Sequence, residues 1–250
     1  MKVSKFAAVL ISLGAMAFSG AASAGIIIST SVGGAPTGAV LDNLDALTPG
    51  STTQTTATGI LVSFTGGPSP AGGQAVTGPL SGVYAPPYLT GSNGLGFGNS
   101  PATGPDNTVY LTAGGTSPNS SATLSFSQDL HYVGLLWGSV DNYNTLQLYE
   151  GSTLVGTILG SDVIASPNGD QGPDGTTYVN VTSTDAFDKI VALSTQYAFE
   201  FDNVAYSLNG NYCPTCGTTG TLIPEPITLS LFGAGLAGAA ALRRRKKKSV

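Results

Sequence analysis

The sequence predicts an all-β domain, an antiparallel β-sandwich or jelly roll, carried between an N-terminal signal helix and a C-terminal single transmembrane helix. Three observations lead there. From Thr108 onward, short runs rich in β-branched, aromatic and leucine residues alternate in polarity and are separated by turn residues, the pattern of antiparallel all-β architectures. No 3.6-residue apolar period joins those runs. The uninterrupted apolar stretches lie instead at the two ends of the chain, each with its own flanking charges.

At the N-terminus, Lys2 and Lys5 precede an apolar, helix-prone run from Phe6 to Phe18. Ala22-Ser23-Ala24 then supplies the small residues a signal peptidase needs, which places cleavage between Ala24 and Gly25. Residues 1–24 therefore read as a signal peptide, and export follows. The mature domain opens with Ile26, Ile27 and Ile28, a first strand running to Ser31. Leu41 to Leu47 has apolar residues at 41, 44 and 47, which suits a helical turn, while its Asp and Asn content favours a loop or a strand edge; both stay open. Gly50 to Thr58 is Ser/Thr-rich and exposed by composition, and Gly59 to Phe64 is a short strand with Ile60, Val62 and Phe64 on one face. Residues 66–106 are rich in Gly, Pro and Asn, with scattered Tyr84, Tyr88 and Phe97, and read as a packed surface loop.

The second half is more regular. Strands are expected at Val109 to Ala113, Ala122 to Phe126, His131 to Trp137, Thr145 to Tyr149, Thr153 to Leu159, Tyr178 to Thr182, Lys189 to Leu193 and Ala198 to Ser207, with Glu150-Gly151 as a turn. Trp137 alternates with Leu135 and Val133 and belongs to the core. The ectodomain thus divides into a loop-rich 25–107 and a regular 108–207, followed by a linker, 208–223. That linker holds the two cysteines of the chain, Cys213 and Cys216. A thiolate metal site needs a second pair and a redox motif needs a strand-to-helix context, so in an oxidising exterior a local disulfide is the expectation.

Charge excludes several functions. The printed net charge of −5 includes the cations at both ends. Between Gly25 and Ile223 there are 13 acids against 1 base, Lys189, a formal charge of −12. One cation cannot neutralise a phosphate backbone, so no nucleic acid is expected as a partner. Catalysis is not expected either. His131 is the only histidine, no Gly-x-Ser-x-Gly elbow surrounds a serine, and almost no Arg or Lys is present to position an anionic substrate.

The C-terminus has three parts in order: Pro224-Glu225-Pro226, an uncharged apolar run from Ile227 to Leu242, and Arg243-Arg244-Arg245-Lys246-Lys247-Lys248. The run has 16 residues, about 24 Å as a helix at about 1.5 Å per residue. That is short against a hydrocarbon core of about 30 Å, so Glu225 and the basic block fall near the two interfaces. Adjacent cations mark the cytoplasmic side. This tail resembles the PEP-CTERM sorting signal of bacterial surface proteins. The resemblance implies that an exosortase, a membrane protease-transpeptidase, acts near the triplet, with the inner membrane holding the precursor. A plain anchor helix would share the topology without the cleavage.

Two further resemblances concern the domain. Tyr132 to Leu146 is similar to the core of a group of exosortase-sorted surface proteins, and Phe199 to Tyr206 resembles the last strand of carbohydrate-binding jelly rolls. The first supports the β-rich fold, and a structural or adhesive role in an extracellular polysaccharide matrix is what the resemblance to PEP-CTERM surface proteins implies. The second implies a structural Ca2+ at Asp202, with Glu200 two residues away on the same face and Val204 next along it. The loop Asn168 to Gly175, with Asp170 and Asp174, is a second oxygen-rich candidate without EF-hand spacing. For a sugar, Tyr143 in the polar turn with Asp141 and Asn142 is the candidate contact. A calcium-dependent carbohydrate-binding module is the alternative reading.

Overall fold

The computed structural model describes residues 25–31, 34–66, 72–99, 101–114, 120–207 and 221–222. The expected signal peptide, the Cys213–Cys216 disulfide and the transmembrane tail lie outside the described residues. Among those described, no helix is long and apolar enough to cross a membrane.

The domain is all-β, and every strand pairing in it is antiparallel. Its strands are β1 (Ile26–Ser31), β2 (Val40–Asp42), β3 (Thr53–Thr55), β4 (Leu61–Phe64), β5 (Gln74–Thr77), β6 (Tyr88–Leu89), β7 (Gly104–Pro105), β8 (Val109–Ala113), β9 (Ser120–Gly138), β10 (Asn144–Glu150), β11 (Thr153–Leu159), β12 (Thr177–Ser194), β13 (Phe199–Tyr206) and β14 (Thr221–Leu222). A single helical turn, α1 (Gly160–Val163), follows β11. Twelve strands join one hydrogen-bonded sheet, and β6 pairs with β7 apart from it.

Two long strands organise that sheet. The sequence suggests one strand on either side of Ser127-Gln128-Asp129, and again one on either side of Ser183-Thr184-Asp185. Instead, β9 and β12 each run through their polar interruption. They pair with each other on both sides of it, Thr177–Thr182 against Trp137–Tyr132 and Lys189–Ser194 against Ser125–Ser120, with the register broken between. The polar residues that resemble loops mark a bend, where the paired strands leave one wing of the sheet and enter the other.

The first wing has the order β1, β12 (177–182), β9 (132–138), β13, β8, β5. The second has β11, β10, β12 (189–194), β9 (120–125), β4, β3. One apolar cluster joins them: Val133, Leu135, Trp137, Val181 and Phe201 from the first wing with Leu124, Leu146, Leu148 and Ile190 from the second. Trp137 is fully buried there and stacks on Phe199, ring centroids 4.1 Å apart and planes 14° apart. Between the wings, Gly156 of β11 leaves room for the Ile26 side chain of β1: a Cβ there would sit 1.8 Å from Ile26 Cδ1 and would force that side chain to turn aside.

The first half of the ectodomain is therefore not a separate unit. It adds β1, β4 and β5 to the edges of the wings. Leu41 to Leu47 resolves as strand β2 and a turn, with Asp42 accepting the Leu44 N–H (3.0 Å) and Leu44 at φ 60°. The Gly/Pro-rich stretch packs over the outer face of the first wing. Leu89 and Phe97 join Tyr132, Leu136, Tyr178 and Ala205 in a second apolar cluster.

Candidate functional site

Strand β13 positions the polar residues singled out above. Every residue from Phe199 to Tyr206 is buried. Phe199 and Phe201 point into the main core, so Glu200 and Asp202 face the loops outside it. Then the alternation breaks. Asn203 has φ 54°, the pairing with β9 shifts between Asp202 and Ala205, and Val204 turns back into the main core. Val204 thus leaves the face of Glu200 and Asp202, on which strict alternation would have placed it. The bulge makes Asp202 and Asn203 consecutive buried polar residues.

Glu200 and Asp202 serve different neighbours. The Ala85 N–H donates to Glu200 Oε1 (3.1 Å) and the Ser139 hydroxyl to Oε2 (2.6 Å). Burial nevertheless pushes the Glu200 carboxyl up to about 7, against those donated hydrogen bonds. Asp202 lies deeper in the loop layer. It accepts from the Asn203 N–H (2.7 Å) and from Asn99 Nδ2 (3.3 Å). Burial first, and then the charge of Asp106, push its carboxyl well above the usual range.

Asp106 is the partner that the sequence does not reveal. It is 2% exposed. Its carboxylate accepts from Thr108 N (2.9 Å), Thr108 Oγ1 (2.6 Å) and Asn99 Nδ2 (2.6 Å). Asn99 thus offers its NH2 to both acids and leaves its carbonyl oxygen without a partner. Asn203 is fully buried, and neither its Oδ1 nor its Nδ2 has one. The local sequence Asp106-Asn107-Thr108 does signal an Asx turn. Its meeting with β13, nearly 100 residues later in the chain, is a tertiary event.

Asp141, Asn142 and Tyr143 form the corner between β9 and β10. Asn142 is exposed, Tyr143 is half-buried, and Asp141 is 8% exposed. The Tyr143 hydroxyl donates to the Tyr197 carbonyl, and burial first, then the neighbouring Asp141, raise its pKa further above the usual tyrosine value. The Asn168–Gly175 loop folds over this corner. Gly169, at φ 70°, has its Cα against the Asp141 carboxylate, where a Cβ would come within 2.6 Å of Oδ2. The structure thereby brings together two candidates from separate stretches, Asp141 and the oxygen-rich loop. Desolvation raises the Asp141 carboxyl as well. Among the described residues, no three His, Cys, Asp or Glu side chains gather as a metal-holding group. His131 Nδ1 donates to the Ser183 carbonyl (3.0 Å), a tie between β9 and β12 where their register breaks.

A cavity of about 270 Å³ is lined by Leu89, Gly94, Leu95, Asn99 and Pro101 among others.

No curated protein and no solved structure matches this chain. One family does: the PEP-CTERM protein-sorting motif matches residues 222–246, over Pro224-Glu225-Pro226, the apolar run and Arg243 to Lys246 of the basic block. The chain is a β-domain that carries a PEP-CTERM sorting motif at its C-terminal end.

Proposed function

We propose that this is an exported cell-surface or extracellular-matrix protein whose β-domain is cargo, sorted by an exosortase acting at Pro224-Glu225-Pro226. The single observation that carries the reading is the motif over residues 222–246, set directly behind the folded domain. A signal peptidase acts first, between Ala24 and Gly25. The apolar run Ile227–Leu242 then holds the precursor in the inner membrane, with Arg243 to Lys248 on the cytoplasmic side. The two wings act as the layers of a sandwich, and the role of the domain is structural or adhesive rather than enzymatic. Its charge of −12 keeps it soluble and away from anionic lipid. Replacing Pro224-Glu225-Pro226 with alanines tests the sorting. The parent is expected at the surface at reduced mass, and the variant in the inner membrane at precursor mass. Equal size and equal surface arrival for both would leave only a plain anchor.

A second reading, a structural Ca2+ at Asp202, is supported by one observation. Asp106 and Asp202 are neighbouring carboxyls, 2% and 0% exposed, and the one base of the ectodomain, Lys189, is held at the Gly151 carbonyl. Burial and the neighbouring Asp106 charge favour the neutral form of Asp202, and a bound cation would offset the same burial. The free carbonyl oxygens of Asn99 and Asn203 suit a hard cation that takes oxygen ligands. Glu200 does not fit, since its carboxylate is held at Ala85 and Ser139. Calcium is expected to raise the melting temperature of the full chain and EDTA to reverse it, with Asp106→Asn abolishing the response. A melting temperature indifferent to calcium would overturn this reading.

A further inference from the structure

We propose that β14 is a clip: it docks the end of the linker onto β1, and its undocking sets the rate at which the sorting triplet is processed. The inference rests on the sorting reading above. β1 has two ladder partners. On one side it pairs with Tyr178–Ser183 of β12, and on the other with β14, Ile27 opposite Leu222 and Ile28 opposite Thr221. Gly25 ties the start of the strand to the bend of β12. Its N–H donates to Thr184 Oγ1 (2.8 Å), and its carbonyl accepts from the Thr184 N–H (3.0 Å). Backbone groups alternate along an antiparallel strand, so those of Gly25 and Ile27 address β12 and those of Ile28 address β14. Ile28 and Thr221 are therefore the pair that exchanges both backbone bonds.

The direction of this ladder brings two distant points of the chain to one place. β14 runs antiparallel to β1, so Leu222 leaves the sheet at the end of β1 where Gly25 enters it. Charge agrees with that geometry. Lys2 and Lys5 before one apolar run, and Arg243 to Lys248 after the other, both mark the cytoplasmic side. Both runs then meet the outer face of the membrane, and the β1–β14 pair delivers them to it from one end of the domain.

The clip leaves the triplet little slack. Only Ile223 separates Leu222 from Pro224, so at most about 7 Å of chain runs between them. An enzyme that binds an extended chain grips its backbone groups, and beside the triplet those groups belong to β14. β1 and the enzyme therefore compete for one strand. The ladder is two residue pairs long, and its backbone bonds favour the docked state by roughly tenfold. That is enough to slow processing and too little to prevent it. β1 holds its place only through β12, far along the chain, so the clip closes only on a folded domain.

Pulse-labelling of the full chain in the cells that process it tests the clip. Residue-resolved hydrogen exchange, on unprocessed full chain in detergent, gives a readout independent of sorting. Thr221→Pro removes the N–H that Thr221 gives to Ile28. A tandem repeat of residues 217–223 lets the first copy dock while the triplet keeps its own upstream neighbours. Thr221→Pro is expected to be processed about tenfold faster than the parent and the repeat about fivefold faster, in line with the docking ratio. The Ile28 amide is expected to exchange about tenfold faster in Thr221→Pro and at the parent rate in the repeat. If Thr221→Pro also weakens recognition by the enzyme, the repeat decides alone. A repeat processed no faster than the parent, or an Ile28 amide that exchanges alike in parent and Thr221→Pro, would overturn the proposal. A parent chain that yields no product at the triplet would instead sink the sorting reading, and the clip's task with it.

Discussion

The two wings of the sheet bury their strands differently. In the second wing, β10 has Asn144, Leu146 and Leu148 inside and the residues between them half-exposed. In the first, β13 has both faces covered, by the common core on one side and the 78–106 loops on the other, and all eight of its residues are buried. A one-sided strand can place its polar residues in water. A two-sided strand must find partners for them. Glu200, Asp202 and Asn203 are the result: two carboxyls with raised pKa and an amide with none of its bonds made. The candidate site arises where a loop layer closes over an acidic strand face.

The largest test of that contrast removes a side chain from the covered core. Phe201→Ala is expected to destabilise the domain by about 3–5 kcal/mol in denaturant unfolding, whereas Leu154→Ala, on the half-exposed edge strand β11, should cost less than about 0.5 kcal/mol. Comparable losses at both positions would mean that the wings are equally packed.

The next effect is electrostatic. Glu200 has a folded-state pKa of about 7, above its ordinary value of 4.5. Folding therefore favours its protonated form. Stability should be highest below about pH 4.5 as far as this group is concerned, fall as pH rises towards 7, and lose about 3 kcal/mol in all at about 1.4 kcal/mol per unit. Asp202 acts with the same sign. Glu200→Gln should remove the Glu200 share of the slope, as followed by unfolding at pH 5 and pH 8. An unchanged slope would place the titration elsewhere.

The smallest concerns the bulge. Asn203 holds φ 54°, where an L side chain with a Cβ is strained by about 1–2 kcal/mol and glycine is not. Asn203→Ala should therefore be less stable than Asn203→Gly by about 1 kcal/mol, measured by thermal unfolding. The reverse order would show that glycine's greater freedom in the unfolded chain outweighs the strain at the bulge.

Legibility in the sequence follows the same divide. β10 and the strand at Ile60 to Phe64 are readable because one-sided burial writes polarity alternation into the residues. The inward side of Trp137 is readable for the same reason. The bends of β9 and β12 were not, since Ser127-Gln128-Asp129 and Ser183-Thr184-Asp185 have the composition of loops. In the site, Glu200 and Asp202 stand out as acids on a strand. Asp106, Asn99 and Ser139 do not, because each meets β13 only through contacts spanning 61 residues or more.

Residue order alone determined the all-β character, the acidity of the domain and the sorting tail. Each is a local property: alternation, composition, or three motifs in succession. Tertiary structure alone decided which acids are buried, that Asp106 rather than Glu200 stands beside Asp202, and that two amides are left without partners behind Gly94. Burial and pairing depend on what covers a strand, and the cover here comes from a loop distant in sequence.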